Sequence, residues 1–271
     1  MTALAEQIDA YGVVIAIGGL SMRVNTTDYH FLEILQNRFA GYISPESCSD
    51  VEFDVQLGPD PLAKPGSDLS VTHRAGRWFM QRGDFRAEWD PATSRGTVRQ
   101  EATPYSLDTA LRIVHTLVLA RQNGFLLHAA SAIRNGKAFL FSGVSGAGKT
   151  TISRLAPPDV SLLSDEISYV RKRNGKYLAF GTPFAGELAK AGENTSASVS
   201  ALYLLHQGPE NRVEPLGAAD ATRQLLTNIL FFAQDRELVQ PVFQTACDFV
   251  DGIPVYRLTF VPNARVWEMI G

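Results

Sequence analysis

Lys149 stands near the end of a run that reads Gly143, Val144, Ser145, Gly146, Ala147, Gly148, Lys149, Thr150, Thr151. The run satisfies G-x-x-x-x-G-K-[ST] at every fixed position, the pattern of a loop that cradles phosphate groups. Its glycines let the backbone turn so that successive N–H groups converge on an anion, and the following helix adds its positive N-terminal end. In such a loop Lys149 reaches the β- and γ-phosphates, and the Thr150 hydroxyl ligates Mg²⁺. A second signal lies fifteen residues beyond Thr150, where a short apolar strand over 160–164 runs into Asp165 and Glu166. Carboxylates at the carboxyl end of a strand beside a phosphate loop are placed to hold a metal. Two adjacent ones permit a division of labour: one holds Mg²⁺, and the other takes the proton of an attacking hydroxyl.

The surrounding pattern supplies elements that could position these groups. A nearly continuous apolar hairpin, 125–133 and 137–142 with a turn at Asn135-Gly136, leads into the loop, as expected for strands entering a buried sheet. The helix after the loop extends only over 149–156, because Pro157-Pro158 stops it. Upstream, residues 11–100 alternate with period two in short runs (13–17, 21–25, 51–57, 77–81, 87–90, 97–100), read as antiparallel hairpins. One amphipathic helix interrupts them at 29–39, and a second is expected over 106–122, with Ser106 as N-cap and Gly124 just past its end. His115 on that second helix reads as a buried structural histidine. The expected division is a β-rich region with two helices at 1–124 and a catalytic domain at 125–271.

Downstream, residues 171–176 read as two strands joined by an Asn174-Gly175 turn with a solvated basic tip. A stretch rich in small side chains, 181–198, is long enough to be functional and could close over a substrate. Glu187 and Lys190 on it are candidates for substrate contact. Further elements are expected at 200–206 (strand), 218–232 (helix), 254–260 (strand) and 266–270 (short helix).

His128, the phosphate loop fifteen residues after it, and the Asp165-Glu166 pair after an unusually short helix occur together in one order. In that set the chain resembles the catalytic domain of HPr kinase/phosphorylase, whose nucleotide fold is related to phosphoenolpyruvate carboxykinase. The resemblance covers about residues 125–260. It implies an α/β (α+β overall) chain with an HPr kinase-like P-loop domain after a smaller β-rich region, and a homo-oligomer. It implies that Asp165 is the base for the substrate hydroxyl, that Glu166 helps bind Mg²⁺ alongside Asp165 and Thr150, and that His128 lies by the transferred phosphate with Lys149. Ser145 falls on the family's loop serine. The family's Glu-Ile-Arg-Gly-Leu-Gly signature, tied to the phosphorylase direction, is not found. The chain as a whole is more similar to the HPr kinase-like proteins encoded beside ribosomal peptide pathways, including lasso-peptide kinases that modify a precursor serine.

Composition removes other classes. With 25 basic and 28 acidic residues the net charge is −3, which offers no overall footprint for a nucleic acid or an anionic membrane. Cys48 and Cys247 form no metal-binding or disulfide pattern. No basic leader or long apolar span is visible, and the expectation is a soluble, cytoplasmic protein. The reading is an ATP- and Mg²⁺-dependent kinase acting on a hydroxyl, expected to be a serine of a peptide or small protein. Its rivals are a small-metabolite kinase and a nucleotide-gated binding module without phosphoryl transfer.

Overall fold

The computed structural model describes residues 11–59, 66–233 and 235–271. Residues 1–10, on which the expectation of no basic leader rests, lie outside the described residues. The chain is mixed α/β, with two multi-stranded sheets and few helices, and divides into two compact units, 1–112 and 113–271. The division falls inside the second helix, whereas the sequence placed its boundary after that helix. No helix among the described residues is long and apolar enough to cross a membrane.

In the first unit β1 (Tyr11–Ile17) and β2 (Leu20–Thr26) form a hairpin, followed by α1 (Tyr29–Arg38) and β3 (Val51–Leu57). A meander follows of β4 (Ser70–Arg74), β5 (Arg77–Arg82), β6 (Phe85–Asp90) and β7 (Arg95–Gln100). The sheet order is β1-β2-β3-β7-β6-β5-β4. Two of its pairings, β2 with β3 and β3 with β7, are parallel, which corrects the expectation of hairpins throughout. For β2 and β3 the physical reason is the crossover: α1 packs on β1 and β2 and returns the chain in the same direction, which a tight turn cannot do; β3 and β7 are joined by the intervening meander instead. Asp28 caps α1 by accepting from the Phe31 N–H at 2.8 Å. Trp78 and Trp89 face each other across β5 and β6, both buried, as hairpin packing rather than a stacking platform.

The second helix, α2, spans Pro104–Ala120. It starts two residues earlier than expected, on a proline whose missing N–H costs nothing in the first turn. Ser106 is therefore no cap; its buried hydroxyl donates to Asp84 at 2.7 Å.

The second unit opens with β8 (Gly124–Arg134) and β9 (Lys137–Ser142), then α3 (Lys149–Arg154), β10 (Ser161–Ser164), β11 (Ile167–Arg173) and β12 (Lys176–Phe180). It continues with β13 (Ser196–Gln207), β14 (Arg212–Pro215), α4 (Ala218–Asn228), β15 (Ile229–Leu230), α5 (Arg236–Gly252), β16 (Val255–Phe260) and a closing 3-10 turn over Ala264–Met269. Both Asn-Gly turns have positive φ at the two central residues, as a type I′ hairpin requires. The ladder β8-β11-β12-β13-β9 returns to β8, so the centre of this sheet closes on itself. Its central strands are buried on both faces. Leu127, Leu140, Leu202 and Leu204 pack with Leu225 of α4 and Phe249 of α5, while Phe139, Phe141, Tyr203 and Leu205 pack with Phe260 and Trp267. Two-sided burial is why the segments read as unbroken apolar runs.

Two expectations change here. The helix proposed for 218–232 ends at Asn228, because Ile229 and Leu230 pair instead with Leu127 and Leu126 of β8. Helix α5 was not anticipated, although Leu238, Val242, Ala246 and Phe249 make a helical stripe.

Candidate functional site

The parallel strands β9 and β13 end side by side, and the phosphate loop leaves the end of β9. Gly148, at φ +113°, turns the chain into α3; a Cβ there would lie 2.5 Å from Cζ of Phe260, so no larger residue fits. The Trp267 indole donates to the Ile152 carbonyl at 3.1 Å, and Gln207 donates to the Gly146 carbonyl at 2.7 Å. The loop and the helix that follows it are thus each braced by a side chain remote in sequence. Lys149 is buried and donates to the carbonyls of Gly143 (2.9 Å) and Val144 (3.2 Å). Burial lowers its pKa from the ordinary lysine value, and the carboxylates of Glu166 and Glu187 offset part of that fall.

A cavity of about 240 Å³ lies over this loop. Ser145, Gly146, Gly148, Lys149, Thr150 and Thr151 line one side of it; Asp165, Glu166, Glu187 and His128 line the other. His128 sits on β8 opposite Ile167, and Ser142, the last residue before the loop, donates its hydroxyl to the His128 carbonyl at 2.9 Å. Burial, with the neighbouring Lys149, lowers the imidazole pKa from its ordinary value, which favours the neutral ring.

Asp165 is buried and both of its oxygens are engaged: Oδ1 accepts from the Gly186 N–H and Oδ2 from the Leu188 N–H, each at 2.9 Å. Those two N–H groups flank Glu187, so Asp165 fixes the short stretch that carries Glu187 to the cavity. The close approach needs Gly186, where a Cβ would lie 2.9 Å from Asp165 Oδ2 and 2.8 Å from Cβ of Glu166. The rest of the segment is also tied down: Thr182 N–H to the Leu163 carbonyl (3.0 Å), Glu193 N–H to the Leu162 carbonyl (2.9 Å), and Phe184 buried. The stretch over 181–198, expected to be able to close over a substrate, is thus a docked strap, and its last residues already belong to β13. Backbone N–H groups of the segment have partners on β10 and on Asp165, and a buried aromatic ring anchors it.

Residues 96–271 match the family described as ScmC, the SynChlorMet cassette protein. The chain belongs to the ScmC family. The match takes in the whole second unit and, with it, every cavity residue named above. No curated protein matches the chain. Among solved structures, the Hpr(Ser) kinase/phosphatase from Coxiella burnetii is similar at 13% identity with a TM-score of 0.25, covering 45% of this chain and 87% of that one.

In this ScmC-family chain the sequence-derived residues separate into three groups. His128, Ser145, Gly146, Gly148, Lys149, Thr150, Thr151, Asp165, Glu166 and Glu187 share one cavity. Gly143, Val144 and Ala147 line a second cavity on the other flank of the loop, and Lys190 is exposed and lines neither. Sequence reasoning missed Gln207 and Trp267, the two braces, because each acts through a loop or helix carbonyl and no spacing rule links them to it. His115 is buried as expected, edge-on to Tyr169 at 5.4 Å and Phe184 at 6.3 Å.

Proposed function

We propose that the chain is an ATP- and Mg²⁺-dependent kinase that transfers the γ-phosphoryl group to a hydroxyl of a peptide or small protein, with the second unit as a nucleotide-binding domain of the HPr kinase type. The observation that carries this reading is the single cavity in which a P-loop lysine and threonine face the Asp165-Glu166 pair, with His128 alongside. The cassette setting in the family's description fits an enzyme of a biosynthetic route.

The loop N–H groups and Lys149 hold the triphosphate and offset its charge, which aligns the terminal phosphate for in-line attack. The described residues contain no group of three or more His, Cys, Asp or Glu able to cage a metal ion. The Thr150 hydroxyl with Glu166 and Glu187 instead offers a few oxygen donors beside a phosphate site, the set that suits Mg²⁺, which keeps waters and takes substrate phosphates as ligands. When bound, Mg²⁺ neutralises charge on the β- and γ-phosphate oxygens. Asp165 takes the proton of the attacking hydroxyl on a lone pair left open by its two N–H partners. Its buried strap bonds hold the carboxylate in place as it does so. His128, neutral, hydrogen-bonds a phosphate oxygen.

The test is intact-mass spectrometry of candidate precursor peptides and phosphocarrier proteins incubated with the purified chain, Mg²⁺ and ATP. A gain of one phosphoryl group is expected. Lys149→Ala should weaken ATP binding by about tenfold to a hundredfold, as loss of a charged hydrogen-bond donor does. Asp165→Asn should abolish transfer while ATP still binds. ATP turnover that needs no acceptor and survives in Asp165→Asn would refute the kinase and favour a nucleotide-gated module.

A further inference from the structure

Lys149 marks which end of the loop faces the terminal phosphate. Its ammonium rests on the carbonyls of Gly143 and Val144, so the charge that P-loop lysines bring to the β- and γ-phosphates lies over the first residues of the loop. On that flank opens a second cavity of about 340 Å³, which shares Ser145 and Gly146 with the phosphate cavity. Its far walls are the end of β13 and the last turn of α4.

The chemistry of this cavity is uniform. None of its lining residues is Lys, Arg, Asp or Glu. Burial and the nearby Arg257 guanidinium lower the pKa of His206, which also lines the cavity, and so favour the uncharged ring. The cavity offers side-chain amides and hydroxyls: Gln224, Thr227 and Asn228 on one face of α4, Gln207 from β13 and Ser145 from the loop, with the exposed Val144 side chain as an apolar contact. Asn228 uses its amide nitrogen on the Gln224 carbonyl (2.8 Å) and Gln207 uses its own on Gly146 (2.7 Å). Each therefore has a carbonyl oxygen to offer as an acceptor, and Gln224 brings a whole amide. The free acceptors of Gln207 and Asn228 and the whole amide of Gln224 can pair with an extended polypeptide, each residue of which presents one N–H and one C=O. A charged side chain placed among them would meet no counter-charge.

Resting on the kinase reading, we propose that this cavity is the acceptor subsite, where an uncharged polypeptide segment lies along Gln207, Gln224 and Asn228 and delivers its hydroxyl across Ser145 to the terminal phosphate. The hydroxyl oxygen bonds to the γ-phosphorus, and the bond to the β–γ bridging oxygen breaks with its electron pair remaining on ADP. The hydroxyl proton passes to the Asp165 carboxylate.

The experiment uses the full chain, ATP, Mg²⁺ and three synthetic pools of short peptides, each with one central serine and flanks that are neutral, acidic or basic. Phosphopeptide is read by mass spectrometry, and ATP binding is read separately with a fluorescent ATP analogue. The neutral pool is expected to be phosphorylated about tenfold faster than either charged pool, and Gln224→Ala/Asn228→Ala to raise its KM about tenfold while the KM for ATP holds. Gln224→Glu should move the preference toward the basic pool, a gain that mere damage to α4 would not produce. Equal rates on all pools, an unchanged peptide KM in the double variant, or an unmoved preference in Gln224→Glu would overturn the assignment. So would ATP binding with no pool phosphorylated, an outcome that leaves the nucleotide site standing. Failure to bind ATP would instead sink the kinase reading itself.

Discussion

Burying an imidazole links stability to pH in a way that can be worked out from one residue. His115 is fully enclosed, edge-on to Tyr169 and Phe184, its Nδ1 has no hydrogen-bond partner, and burial lowers its pKa from 6.5 to about 3. In the unfolded chain the ring takes up a proton below pH 6.5, while in the folded chain it stays neutral down to about pH 3. The unfolded state therefore binds more protons across that window, and stability falls as pH falls through it. Between about pH 7.5 and about pH 5 the loss from this residue is about 2 kcal/mol, one and a half pH units at roughly 1.4 kcal/mol each. Trp267 reports unfolding of the second unit once Trp78→Phe and Trp89→Phe remove the two tryptophans of the first. Urea titrations of that background, with and without His115→Leu, isolate the residue because every other titrating group is common to both. The gap between the two unfolding free energies should shift by about 2 kcal/mol in favour of His115→Leu at the lower pH. An unchanged gap would mean that His115 is solvated or paired, and would refute the packing argument.

Gly186→Ala should push the strap away from Asp165 and Glu166 at a stability cost of about 1–3 kcal/mol. The phosphoryl-transfer rate should fall with little change in ATP affinity, because the loop that binds the triphosphate is untouched. Trp267→Phe removes the indole bond to the Ile152 carbonyl and leaves a gap in the core beside Phe141, and should cost about 2–4 kcal/mol in chemical denaturation. Since the His128 pKa lies below its ordinary value, the acid limb of a transfer rate that needs the neutral ring should fall below pH 6.5. A rate already declining with acid above neutrality would argue against that role.

The phosphate loop, the acidic pair and the two Asn-Gly hairpins are determined by the sequence alone, because each is a local arrangement in which residue type fixes backbone conformation or chemistry. Lys149 and Thr150 follow their glycines along one short stretch, and Asn135-Gly136 and Asn174-Gly175 adopt positive φ without help from distant residues. Two-sided burial of β8 and β9 was likewise legible as unbroken apolar runs. Only the tertiary structure decided that β3 pairs in parallel on both sides, that Ile229 and Leu230 leave the helix for β8, and that the segment after Phe180 is strapped to β10 and Asp165. Pairing partners and backbone hydrogen bonds carry no residue code, since every N–H and C=O is alike until the fold brings one within reach of another. The same reason hides Gln207, Trp267 and the double grip of Asp165 on Gly186 and Leu188 from any reading of the sequence. Each is a contact between a side chain and a backbone group far along the chain, made only when the sheet places them side by side.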